Sequence, residues 1–163
     1  MFKKLFSKKE EISLPNILLI IADDLGFGDV GCYGAAGIQT PNMDLLAGEG
    51  VRFTSYYSGG VTCTGGRAAL LTGCYPHRVG LGGKNIPPGA FTGLNPEERS
   101  LPRVLGEAGY VSGYVGKWAL GSHPQFMPMN QGFDYFFGVP YSHSYLDQDV
   151  EEHHYVTTHL PLM

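Results

Sequence analysis

The longest unbroken apolar run of the chain is Ile17-Leu18-Leu19-Ile20-Ile21-Ala22, opened by Pro15-Asn16 and closed by Asp23-Asp24. A run of this length, rich in β-branched residues and without alternation, predicts a parallel strand buried on both faces. A glycine-rich loop follows over residues 26–37. Thr40-Pro41 then predicts a helix start, with Thr40 as N-cap, Pro41 in the first helical position, Leu45 and Leu46 on the buried face and Gly50 as the stop. Residues 51–57 alternate and are aromatic, which predicts a second strand. A turn around Cys63 leads into a helix over residues 67–71, and residues 82–95, with two prolines, read as a long loop. Ser100-Leu101-Pro102 repeats the cap-then-proline signal, and Gly109 ends that helix. Residues 110–116 predict a third strand, ending at Lys117-Trp118, and the chain is loop-rich after Gly121.

Strands alternating with helices predict an α/β fold, a mainly parallel sheet flanked by helices. Ligands in such sheets sit beyond the carboxyl ends of the strands. Three polar clusters, Asp23-Asp24, Cys63 with Arg67, and Lys117, each follow a predicted strand, so they are expected on one edge of the sheet.

Composition narrows the classes of function. With 163 residues the chain is long enough for one domain with a proper core. The 24 glycines and 11 prolines point to turns rather than disorder, because strong apolar segments lie between them. A net charge of −4, without a basic stripe interleaved with aromatics, argues against nucleic acid as a partner. Cys32, Cys63 and Cys74 have neither a disulfide framework nor zinc spacing. Residues 1–14, with Lys3-Lys4 and Lys8-Lys9 ahead of Glu10-Glu11, predict a flexible, solvated terminal segment ahead of a domain over residues 15–163. That segment has no apolar core of a secretory signal, and no stretch reaches the length of a membrane-spanning helix. Cellular location stays open.

The polar clusters suggest anion chemistry. Adjacent aspartates at a strand end supply hard oxygen ligands for Ca²⁺ or Mg²⁺; the alternative is a solvated capping pair. A thiol ahead of a helix sits where backbone amides and the helix dipole favour an anion, while an inert buried cysteine is the other reading. Arg67 adds a fork-shaped donor for sulfate or phosphate, and Gly65 and Gly66 let backbone approach a bound oxyanion. Lys117 offers a point charge, or is a strand-end lysine in water. His77, His123, His143 and the pair His153-His154 read as loop histidines.

Longer motifs carry a resemblance. They are Pro15-Asn16-Ile17 through Asp23-Asp24-Leu25-Gly26, then Thr40-Pro41-Asn42-Met43-Asp44-Leu45, Gly50-Val51-Arg52-Phe53-Thr54, and Cys63-Thr64-Gly65-Gly66-Arg67 running into Thr72-Gly73. Gly116-Lys117-Trp118 and Gln131-Gly132-Phe133-Asp134 through Tyr141-Ser142-His143 complete the series. From about Pro15 to about Ser144 the chain resembles the N-terminal part of a sulfatase of the alkaline phosphatase superfamily. The resemblance implies an alkaline-phosphatase-like core, incomplete at its C-terminal side. It also implies hydrolysis of sulfuric esters by a formylglycine made from Cys63, with Asp23, Asp24 and the group at position 63 around a Ca²⁺ ion. Arg67 would stabilise the aldehyde hydrate, and Lys117 and Ser142 would contact the sulfate. The implied ligand is a small sulfate ester or a sulfated glycan.

The chain departs from the family pattern at named positions. Gly65 and Gly66 stand where the signature has Pro and Ser, Ala119 where Gly-Lys-Trp-His ends in histidine, and Cys74 where Thr-Gly-Arg-Tyr-Pro is usual. The family's later metal ligands, second histidine and second lysine come from a part beyond Met163. These departures predict that Cys63 stays a thiol, that the Ca²⁺ ligand set is incomplete and that hydrolysis by this chain is impaired. A non-catalytic module binding sulfated ligands, and a phosphoesterase-type relative, are the alternatives.

Overall fold

In the computed structural model, residues 14–142, residue 145 and the short strand at 156–157 are described. His143, His153, His154 and nearly all of the expected N-terminal segment lie outside the described residues. The chain divides into two compact units, Met1–Arg52 and Phe53–Met163.

In the first unit, single 3-10 turns at Phe27–Asp29 and Gly31–Tyr33 precede helix α1, Pro41–Glu49. Proline takes the first helical position as its fixed φ favours, and Gly50 closes the helix by donating to the Leu46 carbonyl at 2.9 Å. The Thr40 hydroxyl does not cap α1. It accepts from the Gly31 amide at 2.8 Å and donates to Asp44 Oδ1 at 2.9 Å. Asp44 Oδ1 also accepts from the Cys32 amide at 2.6 Å. One turn of α1 thus pins the 31–32 loop with polar groups. Leu45 and Leu46, expected on a buried face, are instead 59% and 67% exposed, because the side of α1 that holds the loop is the Asp44 side. Arg52 donates to the Cys32 carbonyl and lies over the Tyr33 ring, 5.8 Å from its centre.

The expected strand at residues 17–22 is not formed. The segment is irregular and exposed, Leu18 at 85%. A strand needs a ladder, and among the described residues the first unit contains no strand to supply one. The expected strand at residues 51–57 is likewise absent, with Tyr57 85% exposed.

The second unit carries the sheet. Helix α2, Cys63–Thr72, starts four residues before its expected start because Thr62 caps it, and ends at Gly73 with φ 66°. Helix α3, Leu101–Glu107, follows Ser100, whose buried hydroxyl donates to the Gln131 carbonyl and accepts no capping bond from its own helix. Strand β1, Gly113–Lys117, lies toward the end of the region expected for it. Strand β2, Tyr135–Val139, falls in the stretch after Gly121 that was expected to be loop-rich. Strand β3 is Val156–Thr157. The order is β1-β2-β3, with β1 and β2 parallel and β2 and β3 antiparallel. This is an α/β fold with a mainly parallel, open sheet.

The core of this unit gathers Ala68 and Leu71 from α2, Leu81, Ile86 and Leu94 from the loop after it, and Trp118, Leu120 and Phe136 around the sheet. Trp118 is fully buried, and its indole N–H donates to the Phe126 carbonyl at 2.9 Å. Such pairing offsets the cost of taking a polar atom into an apolar interior. Gln131, also fully buried, donates through Nε2 to the Leu94 carbonyl at 2.8 Å. Among the described residues no helix is long and apolar enough to cross a membrane.

Gly116 and Gly138 face each other in the β1–β2 register, and a Cβ on Gly138 would run into the Gly116 carbonyl. Gly138→Ala is therefore expected to lower stability by about 1–3 kcal/mol through overpacking. Gly113→Ala, whose Cβ would lie 3.9 Å from that of Tyr135, should change little. Urea unfolding of the two variants checks this; equal midpoints would contradict it.

Candidate functional site

The site is organised by the first turn of α2. Thr62 is extended, with φ −109° and ψ 159°, and its Oγ1 accepts from the Gly65 amide at 3.1 Å, which satisfies one of the donors a helix start leaves over. The same hydroxyl donates to the Lys84 carbonyl at 3.2 Å, tying the loop after α2 to the cap. Cys63 is the first helical residue, a half-buried free cysteine, rather than part of a preceding turn.

The bare positions after it are used by the chain itself. A Cβ on Gly60 would lie 2.5 Å from the Gly65 carbonyl carbon and 2.8 Å from Gly65 Cα, so two stretches of backbone pack directly on each other. A Cβ on Gly66 would meet Ser58 Oγ at 2.9 Å, whereas one on Gly65 would find its neighbours at 3.3 to 3.5 Å. Gly65 and Gly66 thus seat the 58–60 loop beside the start of α2.

Arg67 lies one turn beyond Cys63 and is 8% exposed. Its Nε donates to the Lys117 carbonyl at 3.0 Å, and its Nη1 reaches the Cys63 carbonyl at 3.5 Å. The guanidinium therefore braces the helix start against the end of β1, in addition to any anion it meets. The Lys117 carbonyl accepts a second bond, from Tyr114 OH at 2.6 Å. Thr64, 1% exposed, donates to the Ala119 carbonyl at 2.9 Å. From the other side, the Trp118 and Ala119 amides donate to the Val139 and Pro140 carbonyls at 2.9 and 3.0 Å. Ala119 is held at φ 56°, a left-handed conformation uncommon for alanine.

The structure thus brings Cys63, Arg67 and the backbone of Lys117 together in the second unit. Lys117 pairs with Val139 in the parallel register, so the ends of β1 and β2 open at one edge, and half-buried Ser142 follows three residues after β2. Asp23 and Asp24 belong to the first unit, in an exposed turn where Asp24 has φ 56°. Among the described residues no group of three or more His, Cys, Asp or Glu side chains is placed to hold a metal ion. The aspartate pair by itself offers fewer oxygens than the 6–8 that Ca²⁺ takes. His123 stacks on Phe91 with ring centres 3.9 Å apart, a loop-packing role.

Three residues of the site escape a reading of the sequence. Thr62 carries a usable signal, a threonine immediately before an apolar helix. Thr64 and Tyr114 carry none, since the Thr64 partner is 55 residues away and the Tyr114 hydroxyl serves a backbone atom.

The family model described as Sulfatase matches residues 15–159. Arylsulfatase A of Homo sapiens is 50% identical over 131 residues, covering 79% of this chain and 26% of that protein. N-acetylgalactosamine-6-sulfatase of Canis lupus familiaris is 48% identical over 136 residues, again 79% of this chain and 26% of its own length. Among solved structures, Ps i-CgsB in complex with k-i-k-neocarrahexaose superposes with a TM-score of 0.75 at 41% identity, over 78% of this chain and 28% of that one. The chain therefore spans about a quarter of the length of the curated relatives it matches.

Thr62→Ala is expected to lower stability by about 1 kcal/mol through loss of the cap, with Thr62→Ser close to native. The same change removes the tether to Lys84, so tryptic cleavage after Lys84 should quicken in the alanine variant alone. Unchanged stability and cleavage would contradict the capping role.

Proposed function

The chain belongs to the sulfatase family, and we propose that the start of α2 binds the sulfate group of a sulfated sugar or aryl sulfate, with the family's ester hydrolysis impaired in this chain. One observation carries the reading: Arg67 bridges the carbonyls of Cys63 and Lys117, which sets the thiol-bearing helix start beside the backbone of Lys117. Amides and dipole at a helix start favour an anion, and the Lys117 ammonium adds a full positive charge to the same edge. Ser142, on that edge, adds a hydroxyl that can donate to a sulfate oxygen. Sulfated sugars are the favoured ligand class because one relative is by name an N-acetylgalactosamine-6-sulfatase and one similar structure holds an oligosaccharide.

Impairment follows from two side chains. A formylglycine at position 63 would supply the nucleophilic hydrate hydroxyl, but Gly65 stands where the maturation signature carries proline, and Cys63 remains a thiol. Ala119 stands where the second signature carries histidine, and a methyl group neither donates a hydrogen bond nor moves a proton. Removing one donor to a transition state costs on the order of 10²–10³ in rate. Asp23 and Asp24 are the proposed Ca²⁺ ligands in the first unit; among the described residues no group of three or more His, Cys, Asp or Glu side chains forms around them, so this pair holds the ion weakly.

Equilibrium dialysis with radiolabelled inorganic sulfate tests the site. Native chain should retain sulfate, Lys117→Met should weaken retention about tenfold, and micromolar Ca²⁺ should not alter it. Lack of retention by the native chain would refute the reading, and an aryl phosphate competing better than an aryl sulfate would move it to phosphoesters. Separately, the tryptic peptide of residues 53–67 should have the mass of an unmodified cysteine; the aldehyde mass would overturn the impairment.

A further inference from the structure

We infer that Thr64 and Tyr114 are positioning residues: the Thr64 hydroxyl holds Ala119 against the first turn of α2, the Tyr114 hydroxyl fixes the Lys117 carbonyl at the end of its own strand, and together they aim Lys117 at an anion seated beside Cys63. The inference rests on the sulfate site proposed above and assigns it two residues that do not themselves touch the ligand.

The argument begins with what holds α2 and β1 in place without these hydroxyls. Ala68 and Leu71 anchor α2 in the core, Thr62 caps it, and the parallel ladder fixes β1. Arg67 ties the helix start to the strand end at one point, the Lys117 carbonyl, and one bond leaves rotation about it open. The two hydroxyls add two further points, Thr64 from α2 and Tyr114 from within β1. Thr64 donates to the Ala119 carbonyl at 2.9 Å from a position that is 1% exposed, and Tyr114 donates to the Lys117 carbonyl at 2.6 Å. Tyr114 is itself wedged, edge-on to Trp118 at 5.1 Å and to Phe133 at 5.3 Å between ring centres, so its hydroxyl has a fixed address.

The segment they grip needs gripping. Ala119 has φ 56°, and a non-glycine residue in that region costs roughly 1–2 kcal/mol and persists where its surroundings over-determine it. With the amides of Trp118 and Ala119 bonded to the β2 side, Thr64 completes the hold from the α2 side and Tyr114 from within β1. Displacing a charged donor by about 1 Å is enough to weaken recognition of a compact anion markedly.

A double-mutant cycle on the full chain tests this. Thr64→Val keeps the shape and loses the hydroxyl, Thr64→Ser keeps the hydroxyl, and Tyr114→Phe keeps the ring; each is made alone and with Lys117→Met. Retention of radiolabelled inorganic sulfate is the readout, with a thermal melt on each variant. Thr64→Val should weaken sulfate about tenfold and Tyr114→Phe about threefold, Thr64→Ser should stay near native, and neither loss should persist in the Lys117→Met background. A merely structural role would lower the melting temperature and leave the two effects additive. Additive effects, or native retention in both hydroxyl-deleted variants, overturn the inference while the site reading stands. No retention by the native chain overturns both. Should Thr64→Val fail to fold, Tyr114→Phe decides alone.

Discussion

The hydrogen bond from Arg67 Nε to the Lys117 carbonyl, 3.0 Å long, is the constraint on which the arrangement of the second unit turns. It joins a helix start to a strand end separated by 50 residues of chain. An arginine that is 8% exposed must place its donors on acceptors, since a buried guanidinium without partners is costly. Backbone carbonyls at the end of β1 and the start of α2 meet that need. The charge is thereby kept at the mouth of a helix whose dipole has the same sign.

Bare backbone is the second theme. Gly60 fits against Gly65 and Gly66, and Gly138 against Gly116, in places where a Cβ would collide with main-chain atoms or with Ser58. These contacts bring chain segments to separations that side chains forbid. In the first unit a different device serves the same end: Asp44 collects the Cys32 amide and the Thr40 hydroxyl, and its carboxylate closes over Gly31.

Local signals were legible in the sequence where the physics is local. Proline in the first turn marks the starts of α1 and α3, glycine marks their ends, and Lys117 does end a strand. Pairing was not legible. The run at residues 17–22 has the composition of a buried strand, but composition does not supply a neighbour, and its own unit has none among the described residues. Strand β2 was missed for the converse reason: Tyr-Phe-Phe-Gly-Val is too short and too glycine-interrupted to announce itself, yet β1 lies beside it. At the site, Cys63, Arg67 and Lys117 were readable as a set from residue type and family pattern. The hydroxyls of Thr62, Thr64 and Tyr114 were not singled out, because two of them serve backbone atoms far along the chain or without any motif.

At residues 117 and 119, and at the amide of Trp118, the bonds to α2, β1 and β2 described above end on main-chain atoms: the carbonyls of Lys117 and Ala119, and the amides of Trp118 and Ala119. Every residue type has that carbonyl, and every type but proline has that amide. Scaffold and reactivity are therefore encoded in separate atoms at the same positions. A side chain at 117 or 119 can be exchanged without deleting any acceptor the scaffold uses, so the shape of this edge and its chemistry are free to diverge, and a histidine-to-alanine difference at 119 is one the architecture has no means to resist.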